Sequence, residues 1–144
     1  EALELRRDGD HWQAWNGEQL LASASVVVLA SAAEIKGFSQ SAGLPLKRIR
    51  GQISRLPATA ASRALSTVVC AEGYVAPARL GEHTLGASFD FNSDDLTPTT
   101  AEHLGNLAML EEISSDLVAR LNIDRLPQET LEGRAAFRCT SARF

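Results

Sequence analysis

The sequence predicts an α+β fold, a mixed and mostly antiparallel β-sheet flanked by helices. Three observations carry that reading. Short alternating or β-branched runs fill most of residues 3–91, one helical region follows near 99–121, and a last alternating run occupies 131–140. Strands grouped ahead of helices, instead of alternating with them, mark this class.

The elements follow in order. "ALELRRDGDHWQAW" reads as a hairpin: Leu3 and Leu5 alternate with charged residues, "RDGD" supplies the turn, and Trp12 and Trp15 mark the return strand. Asn16-Gly17 makes a second turn. "SASVVVLASA" contains four successive branched residues, Val26 to Leu29, the pattern of a strand buried on both faces within a parallel sheet. Residues 32–45 hold Gly37, Gly43 and Pro45 and read as a connection with one helical turn. "PLKRIRGQISRLP" alternates between two prolines, which suits a strand. Ile49, Gly51 and Ile53 face one way, and Arg48, Arg50 and Gln52 the other. Further strands are expected near 64–72, 73–80 and 81–91.

Thr99 and Glu102 form the T-x-x-E pattern of a capping box. Leu104, Leu107, Leu110, Ile113, Leu117 and Leu121 then keep helical spacing, with a break into two helices expected at "EEISSD". The final strand alternates as well. Leu131, Gly133, Ala135, Phe137 and Cys139 lie on one face; Glu132, Arg134, Ala136 and Arg138 lie on the other.

The bulk properties set bounds. The chain has 144 residues, 44% hydrophobic and 22% charged, enough for one core or for one domain plus part of another. A net charge of −4 argues against general nucleic-acid binding by the whole chain. The longest apolar run is too short to cross a bilayer, and no signal-peptide pattern opens the chain. Cys70 and Cys139 form no metal pattern and read as buried free thiols of a cytoplasmic protein. The chain begins without Met and within a strand-like pattern, which points to a segment of a longer protein.

Several familiar sites are missing from the sequence. There is no G-x-G-x-x-G, no P-loop and no G-x-S-x-G. His11, His83 and His103 lack metal spacing and read as surface or capping residues. "DFNSDD" lacks the calcium-loop spacing and reads as a solvated turn. What remains is arginine on strand faces. A guanidinium fork grips a carboxylate or phosphate through paired hydrogen bonds, and the small Ala136 leaves room beside it.

The blocks "RGQISRLP", "GYVAPARLGEHTLGASFDFNSDDLTPTTAEHLGNLAMLEEI" and "GRAAFRCTSARF" resemble the FAD-dependent oxidoreductase half of the MnmC family. These are bacterial bifunctional tRNA-modifying proteins, with a methyltransferase as their other half. The oxidoreductase half belongs to the D-amino-acid/glycine oxidase superfamily. The resemblance implies that residues 1–31 are a fragment of an FAD-binding domain, its β-meander and its valine strand, whose parallel neighbours would lie outside this chain. Residues 32–144 would be the substrate-binding domain, with strand 131–140 leading back to the flavin domain. One departure stands out: "LASAAE" replaces the usual "LA-x-G" after the valine strand.

The implied chemistry is oxidation of the –NH–CH2–COO⁻ arm of 5-carboxymethylaminomethyl-2-thiouridine at the tRNA wobble position. Water then releases glyoxylate and leaves the aminomethyl nucleoside. Arg138 matches the family's carboxylate-gripping arginine; Arg134, Arg50, Arg48 and Tyr74 are further candidates for lining the substrate site or contacting RNA. The cofactor would be FAD, held in the intact protein and absent from this segment alone. The implied partners are tRNA and the remainder of the FAD domain, with no membrane. A surface left apolar by that arrangement can drive dimerisation. Two other readings stay open: a fragment of a free amino-acid oxidase acting on glycine, sarcosine or a D-amino acid, and a non-catalytic RNA- or protein-binding module.

Overall fold

The computed structural model describes residues 4–127 and 131–141. Leu3, the start of the predicted hairpin, lies outside them. The chain divides into two units, one made of the residues up to Arg48 with those from Arg138 on, the other of Ile49–Phe137.

In the first unit, β1 (Glu4–Asp8), β2 (His11–Asn16) and β3 (Gln19–Ala24) form an antiparallel meander in the order β1-β2-β3. Gly9 and Gly17 hold the two turns at positive φ, 56° and 57°, where a side chain would be strained. Arg6 stacks over Trp15 and Arg7 over Trp12, with guanidinium carbons 4.6 and 5.1 Å from the ring centres. Leu5 is buried, and Gln40 donates a hydrogen bond to its carbonyl at 2.9 Å. The expected helical turn in the connection is a 3-10 turn at Ala32–Gly37.

The valine run departs from the expectation of a doubly buried strand. Residues 26–30 pair with no other described strand, and Val26 and Val28 are 73% and 81% exposed. A branched run favours extended backbone, but a strand forms only where a neighbour completes its hydrogen bonds. The thiols depart too: both are free, but Cys70 is exposed and Cys139 half-buried.

The second unit is built on a five-stranded sheet in the order β5-β6-β7-β4-β8. β4 (Leu46–Pro57) is the long strand that the proline-bracketed run predicted. β5 (Val69–Cys70) and β6 (Tyr74–Val75) are far shorter than expected. The stretch before β5 is taken by a 3-10 turn, Ser62–Ala64, held by reciprocal Thr59–Ser62 hydrogen bonds. β6 stops before Pro77, which lacks the N–H to continue a ladder. β7 (Glu82–Gly86) pairs antiparallel with both β4 and β6, and β8 (Gly133–Ser141) closes the order beside β4.

Helix α1 (Thr100–Ile113) and helix α2 (Ser115–Leu121) break at Ser114, as the sequence indicates. Ser114 is extended and caps α2 by accepting from the Leu117 N–H. Leu107, Leu110, Leu117, Leu121 and Ile123 pack on Leu56, Val75 and Leu85 to form the core. Among the described residues, no helix is long and apolar enough to cross a membrane.

Candidate functional site

The sheet has a helix face and an open face, and strand parity decides which residue goes where. Leu56, Val75 and Leu85 belong to the core under the helices. Ser54, opposite Leu85 and two residues before Leu56, therefore faces the helices, as do Gln52 and Arg50. The two sets do face opposite ways, but β4 is buried on both sides at its centre, Arg50 and Gln52 on the helix side and Ile49 and Gly51 on the other, while Arg48 is exposed.

Arg50 is 3% exposed and its fork is spent inside the molecule. Nε donates to the Asp95 carbonyl, Nη2 to the Thr97 carbonyl at 2.8 Å, and Nη1 to Glu102 Oε1 at 2.5 Å. Gln52 is fully buried; it donates to the Thr99 carbonyl at 2.9 Å and accepts from the Thr99 N–H at 2.7 Å. Thr99 is the expected N-cap, and its hydroxyl accepts from the Glu102 N–H. In a complete capping box Glu102 would take the Thr99 N–H. Here Gln52 takes it. Glu102 is thereby free to bind Arg50, Ser88 (2.5 Å) and Thr99 Oγ1 (2.9 Å). Burial alone would raise the Glu102 carboxyl. The hydrogen bonds from Arg50, Ser88 and Thr99, with the charge of Arg50, outweigh it and hold the group below the ordinary carboxylate value.

Below this, Ser54 Oγ lies 2.7 Å from His103 Nδ1, and Asn106 Nδ2 donates to Ser54 Oγ at 3.0 Å and to the Gln52 carbonyl at 3.1 Å. Burial lowers the His103 pKa, opposed by the charge of Glu102, and so favours the neutral ring. A neutral ring accepts the Ser54 proton at Nδ1 and carries its own at Nε2, an assignment made from this network. His83 is buried too, bonded to the Ala76 carbonyl at 2.8 Å and to Ser62 Oγ at 2.9 Å. Two of the three histidines are thus interior network residues, and only His11 is at the surface as expected. Both sit at core positions of periodic segments, which is the signal that could have revealed them.

The open face is chemically different. Tyr74 and Ile53 both stand opposite Gly86, so these three share one cross-strand row. A Cβ at Gly133 would point at His103, on the helix side, so Arg134 projects to the open side. Gly86 is closely approached there: a Cβ would stand 3.1 Å from Ile53 Cγ2 and 3.3 Å from its Cα. A glycine inside a strand run was the available signal for it. Along β8, Ala135 is buried, Gly133, Phe137 and Cys139 are half-buried, and Arg134 and Arg138 are exposed. Arg48, in the first unit, is exposed and 3.8 Å from Glu34. Of the five candidates, the structure thus places Tyr74 and Arg134 on one face of the second unit. Arg50 belongs to the opposite face.

The described residues do not fit the pyrophosphate of a dinucleotide. The α1 N-terminus is already closed by Gln52 and carries Glu102 in its first turn. α2 carries Asp116 in its own. No group of three or more possible metal ligands occurs among the described residues.

No family model matches the chain. Curated relatives do, and each is a tRNA 5-methylaminomethyl-2-thiouridine biosynthesis bifunctional protein MnmC. The protein from Pseudomonas fluorescens Pf0-1 is 77% identical over 141 residues, that from P. fluorescens Pf-5 73%, and that from Pseudomonas putida GB-1 70%. Each match covers 98% of this chain, which spans about a fifth of those relatives' length (21–22%). Among solved structures, glycine oxidase from Geobacillus kaustophilus superposes with a TM-score of 0.66 at 19% identity, covering 98% of this chain and 36% of its own. Glycine oxidase from Bacillus cereus ATCC 14579 gives 0.68 at 15% identity, covering 98% and 38%. The fold is therefore that of a part of the glycine oxidases, and the chain is a close relative of one segment of the MnmC proteins.

Proposed function

We propose that the chain is the substrate-sheet portion of an FAD-dependent oxidoreductase. The substrate is 5-carboxymethylaminomethyl-2-thiouridine at the tRNA wobble position, and the products are glyoxylate and the aminomethyl nucleoside. The reading rests on the 77% identity to an MnmC protein across 98% of the chain. The glycine-oxidase fold supports oxidoreductase architecture.

On this reading residues 1–31 belong to the flavin domain and residues 32–144 to the substrate domain. The flavin and its phosphate contacts lie outside this segment. What the segment supplies is substrate orientation. Arg138, an exposed residue of β8, holds the carboxylate of the –NH–CH2–COO⁻ arm with its planar fork. Arg134 and Tyr74 line the open sheet face, and Arg48 is a candidate RNA contact. Arg50 acts from the opposite face, fastening the 90–102 segment to β4. The protein works in the cytoplasm on tRNA.

Free glycine as substrate is the rival favoured by the structural neighbours, though at 15–19% identity these speak for the fold alone. The test uses the intact protein and compares two assays. Glyoxylate release from carboxymethylaminomethyl-bearing tRNA should exceed peroxide release with free glycine by orders of magnitude. Equal or greater turnover of free glycine would replace the proposal with the amino-acid oxidase reading.

A further inference from the structure

We propose that His103 is a positioning residue for the strand that carries the arginines: its imidazole is the spacer on which β8 rests beside Arg134. The inference builds on the reading of the open face as the substrate side. It adds a residue from the opposite side of the sheet, one that touches no substrate.

The geometry is set from three directions. A Cβ at Gly133 would collide with the Ile53 carbonyl oxygen and would stand 2.6 Å from His103 Cε1 and 3.4 Å from Nε2. The backbone of β8 at this point therefore lies directly against the outer edge of the ring. The inner edge is tied down: Nδ1 is bonded to Ser54 Oγ, Ser54 is bonded to Asn106, and Asn106 is bonded to the Gln52 carbonyl. The ring cannot turn without breaking a buried hydrogen bond. One residue earlier in the chain, the Glu132 carbonyl accepts from the Arg55 N–H at 2.8 Å, which pins the approach to β8 against β4. Gly133 is thus held between β4 and a ring anchored on α1, and Arg134 is the next residue, projecting the other way. A change in the thickness of that ring moves the backbone from which Arg134 extends.

A spacer differs from a core residue in what its loss does. Loss of folded protein lowers the apparent kcat and leaves KM alone. Displacement of a substrate-contacting strand raises KM. His103→Asn separates the two roles, because its amide can keep the hydrogen bond to Ser54 while the Cε1–Nε2 edge is gone. His103→Ala removes both.

The experiment measures kcat and KM for modified tRNA in the intact protein, for His103→Asn, His103→Ala, Arg134→Ala and Arg138→Ala, with thermal unfolding alongside. The expected result is a KM raised about tenfold or more in His103→Asn, with kcat changed less than about twofold and a smaller loss of Tm than in His103→Ala. Arg134→Ala should raise KM in the same direction. An unchanged KM in His103→Asn, with Arg134→Ala raised, overturns the spacer and leaves the substrate face standing. A raised KM in His103→Asn with no effect of Arg134→Ala overturns the action through Arg134. No effect of either arginine variant overturns the substrate face and the spacer together.

Discussion

Arg50 shows how a single side chain can serve a different end from the one its alternation suggests. Its charge is removed from water and balanced by Glu102, two carbonyls and little else. Truncating one partner of such a pair strands the other, at a cost of about 3–5 kcal/mol. Arg50→Ala should therefore destabilise the chain by that order in urea denaturation, and a change under about 1 kcal/mol would contradict the geometry. Gly133→Ala should cost about 1–3 kcal/mol or more, since the added methyl meets backbone as well as the His103 ring. The His103 ring also sets a pH dependence. Its folded pKa lies below the unfolded value of 6.5, so the unfolded chain takes up a proton first as the pH falls. Stability present above about pH 6.5 is then lost progressively towards the depressed value, with a slope of up to about 1.4 kcal/mol per pH unit. Glu102, also lowered, extends the loss to more acid conditions below about 4.5. Urea denaturation at pH 8, 6.5 and 5.5 should show this decline, and His103→Asn should flatten it between the first two steps and the third.

At the scale of elements, the sequence was most informative where local chemistry and tertiary packing agree. The T-x-x-E signal located the start of α1, and the serines at 114 and 115 located its break from α2. The long β4 was legible from its prolines and the two faces of β8 from their alternation. The short β5 and β6 were not, because strand length depends on which neighbour supplies a ladder. The valine run, residues 26–30, likewise pairs with no described strand. The burial of Arg50 and Gln52 was not legible, because arginine and glutamine read as surface residues unless their partners are known. Those partners, Thr99 and Glu102, lie about 50 positions away in sequence and are met only in the fold. The helix face itself follows simple packing. Leu110 is fully buried among Leu56, Val75 and Leu85, so Leu110→Ala should cost about 2–5 kcal/mol in thermal or chemical unfolding.

At the scale of the whole molecule, both sides of the sheet carry polar side chains among apolar ones, but for different purposes. Beneath it, arginine, glutamine, histidine and asparagine are satisfied internally and fix the helix on the strands. Above it, Tyr74 and Arg134 are left on an open face. On the proposed division of labour the purified chain should be colourless, and a stoichiometric flavin spectrum would overturn it. The central claim concerns Arg138. Its most direct test is nucleoside mass spectrometry of tRNA from cells whose intact protein carries Arg138→Ala. The account predicts that 5-carboxymethylaminomethyl-2-thiouridine accumulates at the wobble position at the expense of the aminomethyl and methylaminomethyl forms. A nucleoside profile identical to that of the unaltered protein would contradict it.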